Sequence, residues 1–234
     1  MAWKGKRVLA VVPARGGSKG IPRKNLRHVA GRSLIAHCAD LCARLPWLDL
    51  ASLSTDDAEI AAEGRAHGLA VPFMRPAELA GDTATSVDMW RHAWLAAEGA
   101  HGKFDLGILL EPTSPLRRAN DVESTLDLLL SAGAAAAATV SVAPGHFTPH
   151  KCLTLDDELR IGFFLPQGSR HSLRQSIPSF YYRNGLCYAV RRETLVERGH
   201  IIDEDCAAMV VRRPVVNIDE PFDLELAEFL FART

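Results

Sequence analysis

Apolar bursts alternate with stretches of helical periodicity along most of this chain, and the alternation sets the expected architecture. The continuous apolar run in Arg7–Val12 predicts a first strand buried on both faces. Apolar residues at 34, 35, 38, 41, 42 and 45 give Arg32–Leu45 helical spacing. Leu50–Leu53 predicts a second strand. Asp56-Asp57-Ala58-Glu59 then offers a helix cap, expected at Asp56, with a carboxylate three residues on. That helix runs to about His67, where Gly68 is placed to end it.

The same reading predicts a short strand at Ala70–Phe73, a helix at Thr85–Glu98 and a buried strand at Leu106–Leu110. A helix follows at Asp121–Leu130, with Asn120 as its expected cap. The alanines of 134–142 favour helix, but Thr-Val-Ser-Val at the end favours strand, so the second half is expected in the sheet. From about Pro144 to Tyr181 the rhythm stops, which suggests a hairpin or irregular excursion within a single domain spanning 1–234. It resumes with strands at Leu186–Val190 and Val215–Ile218 and helices at Glu193–Arg198 and Pro221–Phe231. This order predicts an α/β fold with a mainly parallel sheet covered on both faces. Ligands of such sheets sit beyond the carboxyl ends of the strands, so polar residues just after strands carry the most weight.

Composition narrows the function classes. The 234 residues suit one α/β domain, and 47% hydrophobic with 24% charged residues is ordinary for a soluble globular protein. Lys+Arg number 27 against 28 Asp+Glu, so net charge offers no support for nucleic-acid or membrane partners. No signal peptide or membrane-length apolar stretch is visible, and a cytoplasmic enzyme is expected. The five cysteines contain no Cys-x-x-Cys pair. Cys38 and Cys42 read as packed thiols, and His146, His150 and Cys152 lack a clear fourth ligand for zinc.

The most informative stretch is VVPARGGSKGIPRKN, residues 11–25, straight after the first strand. It matches neither the P-loop nor Gly-x-Gly-x-x-Gly, and Pro22 keeps Ile21 from opening a helix. Gly16, Gly17 and Gly20 let backbone N–H groups approach an anion, while Arg15, Lys19 and Lys24 add charge on the same loop. Such a loop suits a triphosphate whose leaving pyrophosphate must be neutralised; a solvated basic turn is the competing reading.

PARGGSKGIPRKN, LSTDDAEIAAEGRAHG (53–68), RPAELAGDTATS (75–86), LLEPTSPLRRANDV (109–122), RQSIPSFYYRNGLCY (174–188) and NIDEPFDLELAE (217–228) together resemble the acylneuraminate cytidylyltransferase (CMP-sialic acid synthetase) family, in order and over nearly the whole chain. The resemblance implies a Rossmann-like three-layer fold, a homodimer whose dimerisation and sugar-binding element lies in 144–181, and Mg²⁺-assisted transfer of CMP from CTP to a 2-keto-3-deoxy sugar acid. It implies that Arg15, Gly16, Gly17, Ser18, Lys19 and Lys24 hold the triphosphate and that Asn25, Arg75 and Ser86 bind the cytidine. Arg15, Lys24 and Asp219 are the implied catalytic residues. The implied sugar-facing residues are Thr113, Ser114, Lys151, Arg174, Asn184 and Tyr188, with Glu111 a candidate beside them. Bland alternatives stand next to several: a helix N-terminal serine for Ser86, a turn asparagine for Asn184, a core aromatic for Tyr188, and backbone shaping for Thr113, Ser114 and Arg117.

Two departures matter. Where the family commonly ends a strand with Asp-Ile-Asp, this chain has Asn217-Ile218-Asp219, so the metal candidates are Asp219 and a neutral amide at Asn217. Glu111 stands where sialic acid enzymes commonly have Gln, exchanging a side chain that donates and accepts for one that only accepts. Legionaminate-, pseudaminate- or Kdn-like acids and N-acetylneuraminate are all candidate acceptors. The alternatives are a nucleotidyltransferase for another acidic acceptor such as a phosphonate, one using a purine triphosphate, and a non-catalytic nucleotide-binding relative.

Overall fold

A computed structural model describes residues 2–166, 178–202 and 204–233. In chain order its elements are β1 (Val8–Pro13), β2 (His28–Val29), β3 (Arg32–Ser33), α1 (Leu34–Ala43), β4 (Leu50–Ser54) and α2 (Ala58–Ala66). Then come α3 (Ser86–His101), β5 (Leu106–Leu109), α4 (Ala119–Ser131), β6 (Ala136–Val142), β7 (Leu153–Leu155), β8 (Ile161–Phe163), β9 (Tyr181–Arg191), β10 (Cys206–Val211) and α5 (Pro221–Phe231).

Six of these strands form one sheet in the order β10-β6-β9-β5-β1-β4. β1 runs parallel to β4 and β5, and β10 parallel to β6, while β9 is antiparallel to both its neighbours. The sheet is therefore mixed and mainly parallel. From β1 the chain reaches β4 on one side and β5 on the other, so the β1–β5 boundary is the switch point where α/β folds open a crevice.

Alternation along β1 divides the core. Val8, Ala10 and Val12 face a layer that includes Ile35 of α1, Ile60 of α2 and Leu126 of α4. Leu9 and Val11 face Trp90 and Trp94 of α3, both fully buried. Burying each aromatic or large aliphatic side chain contributes about 1.5–3 kcal/mol, which is what holds helices on both faces. A small third core of Ile21, Leu116, Val216 and Ile218 lies beneath Ala227 of α5.

The helices begin where local chemistry stops their N–H groups from being orphaned, though not always at the expected residue. α2 is capped by Asp57, whose Oδ1 accepts from Glu59 N and Ile60 N, not by Asp56. α4 starts at Ala119, ahead of Asn120, and Asp121 Oδ2 accepts from Arg118 N at 2.8 Å to close the turn. α1 begins at Leu34 with Ser33 as cap, because Arg32–Ser33 is spent pairing with His28–Val29. Ala70–Phe73 makes only a single bridge, Ala70 with Ser52.

One expected strand moves. Residues 215–218 run outside the sheet, with Ile218 N donating to Thr113 O at 2.8 Å, and the edge strand is β10 instead. Val216 and Ile218 are buried against α5 rather than laddered, so Asn217 and Asp219 do not share the face of a strand. Between β6 and β9 the described part of the excursion forms the β7–β8 hairpin, which leaves Leu155, Leu159, Ile161 and Phe163 exposed.

Candidate active site

The loops after β1 and β5, the segment 75–86 leading into α3 and the turn before α5 meet at the carboxyl edge of the sheet, around a cavity of about 620 Å³. The loop after β1 is fixed along its length by contacts to distant parts of the chain. Ala14 N donates to Ser54 O at 3.0 Å, Gly16 N to Asp56 Oδ1 at 2.9 Å, and Asn25 Nδ2 to Arg15 O at 3.0 Å. Arg23 adopts a left-handed conformation, φ 57°, and its guanidinium pairs with Asp57 and Glu59 at the start of α2. Lys24 Nζ donates to Ile218 O and to Asp219 Oδ1, both at 2.8 Å. The loop passes so near this segment that a Cβ on Gly20 would overlap the Asp219 carbonyl oxygen, which is why glycine stands there.

Across the cavity Asp82 takes two cations of the loop. Its Oδ1 lies 3.1 Å from Arg15 and its Oδ2 2.7 Å from Lys19, and hydrogen bonding from Lys19, then from Arg15, holds its carboxyl below the usual range. The sequence reading assigned Asp82 no role, although it lies inside the quoted RPAELAGDTATS segment. Arg75 and Asn25 are both buried in the cavity lining. Arg75 donates to Ser54 Oγ at 3.0 Å and Ser54 O at 2.5 Å, and burial lowers its guanidinium to about 10, which still leaves it charged at neutral pH. Ser86 is the first residue of α3, after the cap Thr85, and lines the cavity.

A second cavity of about 290 Å³ adjoins the first, sharing Ser86, Leu109 and Glu111. Its other walls include Arg183, Tyr188, His200, Ile201 and Ile202. Burial, assisted by the Glu111 carboxylate, pushes the Tyr188 phenol up to about 12. Glu111 is raised above the usual carboxylate range by burial; Arg117 pulls it down and Asp219 pushes it up. Arg183 is an exposed cation that the sequence reading did not single out, although it falls in the quoted YYRNG run.

The structure separates the expected site residues into two groups. Arg15, Ser18, Lys19, Lys24, Asn25, Arg75, Ser86, Glu111, Thr113 and Asp219 line the larger cavity, and Tyr188 the smaller. Gly16 and Gly17 belong to the loop but line neither cavity, and the Gly16 N–H is already given to Asp56. Ser114 and Asn184 are buried behind the walls: Ser114 Oγ donates to Asn184 O at 3.2 Å, and Asn184 Nδ2 donates to Ser141 Oγ at 3.0 Å. Lys151 is half-buried in a turn and lines neither cavity. Arg174 lies outside the described residues.

Arg117 organises the wall between β5 and β9. Its buried guanidinium donates to Glu111 O at 2.7 Å, Gly185 O at 3.1 Å and Leu186 O. Gly185 has φ 70°, and a Cβ there would lie 2.6 Å from Glu111 Oε2, 2.7 Å from Ser114 Oγ and 3.3 Å from Asn217 Nδ2. Glu111 and Asn217 are thereby neighbours across Gly185. The Mg²⁺ implied by the resemblance would rest on the Asp219 carboxylate and the Asn217 amide oxygen; among the described residues no three His, Cys, Asp or Glu side chains come together as a metal site. Electrostatic repulsion between Glu111 and Asp219 is the condition a divalent cation relieves. One carboxylate and one amide oxygen suit an ion that takes most of its oxygens from phosphate and water.

A family model described as cytidylyltransferase matches residues 9–97. A CMP-N,N'-diacetyllegionaminic acid synthase of Legionella pneumophila is 28% identical over 232 residues, covering 96% of this chain and 96% of that protein. A pseudaminic acid cytidylyltransferase of Campylobacter jejuni is 26% identical over 224 residues, with 95% of each chain covered. An N-acylneuraminate cytidylyltransferase of Escherichia coli is 26% identical over 222 residues, covering 94% of this chain and 51% of that one. Among solved structures, a CMP:2-keto-3-deoxy-manno-octonic acid synthetase complexed with CTP matches with a TM-score of 0.72 at 18% identity, over 97% of this chain and 99% of that chain. That likeness establishes the fold, and in sequence the chain is similar, over nearly its whole length, to cytidylyltransferases named for legionaminic, pseudaminic and acylneuraminic acids.

Proposed function

We propose that this protein transfers CMP from CTP to the anomeric hydroxyl of a 2-keto-3-deoxy sugar acid and releases pyrophosphate. The observation that carries the reading is the cavity at the switch point, with Arg15, Lys19 and Lys24 in its lining together with buried Asn25 and Arg75. Three cations from one loop suit a triphosphate, because charge on the departing pyrophosphate must be neutralised as it develops. The acceptor oxygen bonds to the α-phosphorus, the bond from that phosphorus to the β-phosphate oxygen breaks, and the hydroxyl proton passes to a base or to water.

In this reading Arg15 and Lys19 leave Asp82 for the β- and γ-phosphates, with Ser18 beside them, while the Gly16 N–H stays with Asp56 and holds the loop in place. Lys24, braced by Asp219, faces the α-phosphate. Asn25 commits its NH₂ to Arg15 O, which leaves Oδ1 to accept from the exocyclic amine of cytosine, and Arg75 and Ser86 complete the nucleoside contacts. Asp219 and Asn217 would hold Mg²⁺, which when bound screens the triphosphate and polarises its phosphoryl oxygens.

The smaller cavity is the proposed acceptor site. Glu111 and Tyr188 would contact the sugar there, with Thr113 reaching it from the adjoining larger cavity; Arg183 in the lining is a candidate receiver of its carboxylate, as are Lys151 and Arg174 from outside that lining, and Ser114 and Asn184 support the walls. Relatives named for legionaminic, pseudaminic and acylneuraminic acids support this acceptor class. We further propose that the exposed apolar hairpin pairs two chains into a homodimer. No helix among the described residues is long and apolar enough to cross a membrane, and a cytoplasmic setting is the proposed location.

Pyrophosphate release from CTP and Mg²⁺ across a panel of acidic sugars tests the reading. Turnover with one or more 2-keto-3-deoxy sugar acids is expected. Turnover only with GTP would reject the cytidine assignment. CTP binding without turnover on any acceptor would instead favour the non-catalytic relative that Asn217 motivates, and turnover restricted to a phosphonate would move the acceptor class.

A further inference from the structure

A third concave site lies apart from the two cavities and shares no lining residue with them. It has a volume of about 850 Å³ and sits between α1, the turn Pro115–Ala119 leading into α4, and Phe231 at the end of α5.

Its charge is one-sided. Four guanidiniums line it, from Arg32, Arg44, Arg117 and Arg118, against the single carboxylate of Asp40. Asp40 is already taken, with Oδ1 2.5 Å from an Arg32 terminal nitrogen. Arg32 Nε is nevertheless buried without an acceptor. Arg117 spends its donors on three carbonyl oxygens and on Cys38 Sγ at 3.3 Å. Burial pushes the Cys38 thiol up and keeps it neutral, and the carboxyl that Arg117 does influence, Glu111, lines the two catalytic-side cavities and not this cleft. Arg44 and Arg118 are exposed, and among the described residues neither has a carboxylate within ion-pair distance.

The cleft also has a flat side. The rings of His37 and Phe231 lie 4.9 Å apart, inclined by 31°. His37 donates from Nε2 to Val29 O at 2.8 Å, and burial lowers its pKa, so at neutral pH it is an uncharged ring. Planar guanidinium forks are suited to phosphate oxygens, and neutral rings beside them to a planar organic body. The volume falls within the range of small-ligand sites.

We infer that this cleft binds a nucleotide-class ligand, an organic phosphate with a planar base, at a site separate from the catalytic cavity. Arg44 and Arg118 receive the phosphates, and His37 and Phe231 face the base. The inference stands independently of which acceptor the catalytic site uses.

Calorimetric titration with ADP tests it. An Arg15→Ala/Lys19→Ala protein, whose catalytic loop has lost two cations, is expected to bind one equivalent of ADP per chain. Adding Arg44→Ala/Arg118→Ala should weaken that binding at least tenfold. Arg44→Ala/Arg118→Ala alone should leave CTP turnover unchanged. Phe231→Leu gives a second arm, expected to weaken ADP and leave inorganic pyrophosphate unaffected. Absence of ADP binding in the Arg15→Ala/Lys19→Ala protein would overturn the site, as would binding insensitive to Arg44 and Arg118. Pyrophosphate binding as tightly as ADP would overturn the assignment of a planar body.

Discussion

Lys24 Nζ lies 2.8 Å from Asp219 Oδ1 and joins two positions 195 residues apart in sequence. The pair ties the loop after β1 to the segment entering α5, and the Lys24 amine is further held by Ile218 O. Because the Asp219 carboxylate is largely exposed, the pair contributes little to stability, less than about 1 kcal/mol. Its proposed work is electrostatic: Lys24→Ala and Asp219→Ala should each lower turnover about 100-fold or more while the melting temperature barely moves. The double variant should lose less than the product of the two effects, since both act on one unit. Pyrophosphate-release kinetics and a thermal melt on the same samples check this.

Gly20 sets the spacing of that junction. Gly20→Ala forces its new methyl group against the Asp219 carbonyl oxygen, a backbone atom that cannot swing away. The loop should shift, raising the KM for CTP severalfold and destabilising the fold by about 1–3 kcal/mol. Gly17→Ala has no neighbour within 4 Å of its new Cβ and serves as the matched control for stability.

Under the proposed function, Asp82 competes with substrate. Its carboxylate holds Arg15 and Lys19 when no triphosphate is there to take them. Asp82→Asn keeps the shape and removes the charge, so CTP should bind severalfold more tightly. Direct titration of CTP checks the direction, and weaker binding would show that Asp82 preorganises the cations instead.

Glu111 links pH to stability. Burial raises its carboxyl pKa in the folded state above the unfolded value of about 4.3. The folded chain therefore binds the proton more strongly, and stability falls as pH rises from the unfolded value through the raised one. Glu111→Gln, which stays neutral, should melt at a higher temperature than the parent at pH 7–8 in EDTA, and the gap should close below about pH 4.3. A pH series of thermal melts reads this directly.

The β7–β8 hairpin carries the proposed dimer contact. Leu155, Leu159 and Ile161 expose 67%, 78% and 69% of their surface, more than an isolated hairpin usefully leaves to water. Sedimentation should give a dimer for the parent and a monomer for Leu155→Glu/Ile161→Glu.

Sequence alone reached the sheet's inner strands and α5 because both carry strong periodic signals: Pro221–Phe231 is found as expected, and β1 is displaced by one residue. It misplaced the edge strand because Val215–Ile218 is as apolar as a strand yet buries its side chains under α5 without a ladder, whereas β10 opens with Cys-Ala-Ala, which carries little β signal. The cap moved from Asp56 to Asp57 because two adjacent aspartates have the same chemistry, and only the backbone path decides which one meets Glu59 N. The loop cations were legible as a charged glycine-rich turn. Their counter-ion Asp82 was not, since it comes from a segment 63 or more residues away whose folding back no local pattern encodes.

Arg117 has a consequence for how such a pocket changes substrates. One guanidinium holds the main chain at Glu111, Gly185 and Leu186 through carbonyl oxygens, contacts that every amino acid can offer. The path of the acceptor wall is thus fixed without reference to the side chains it displays. Side chains at 111, 183 and 188 can be exchanged while the frame keeps its position, so under the proposed function a change of sugar acid asks for replacements on the wall rather than a rebuilt pocket.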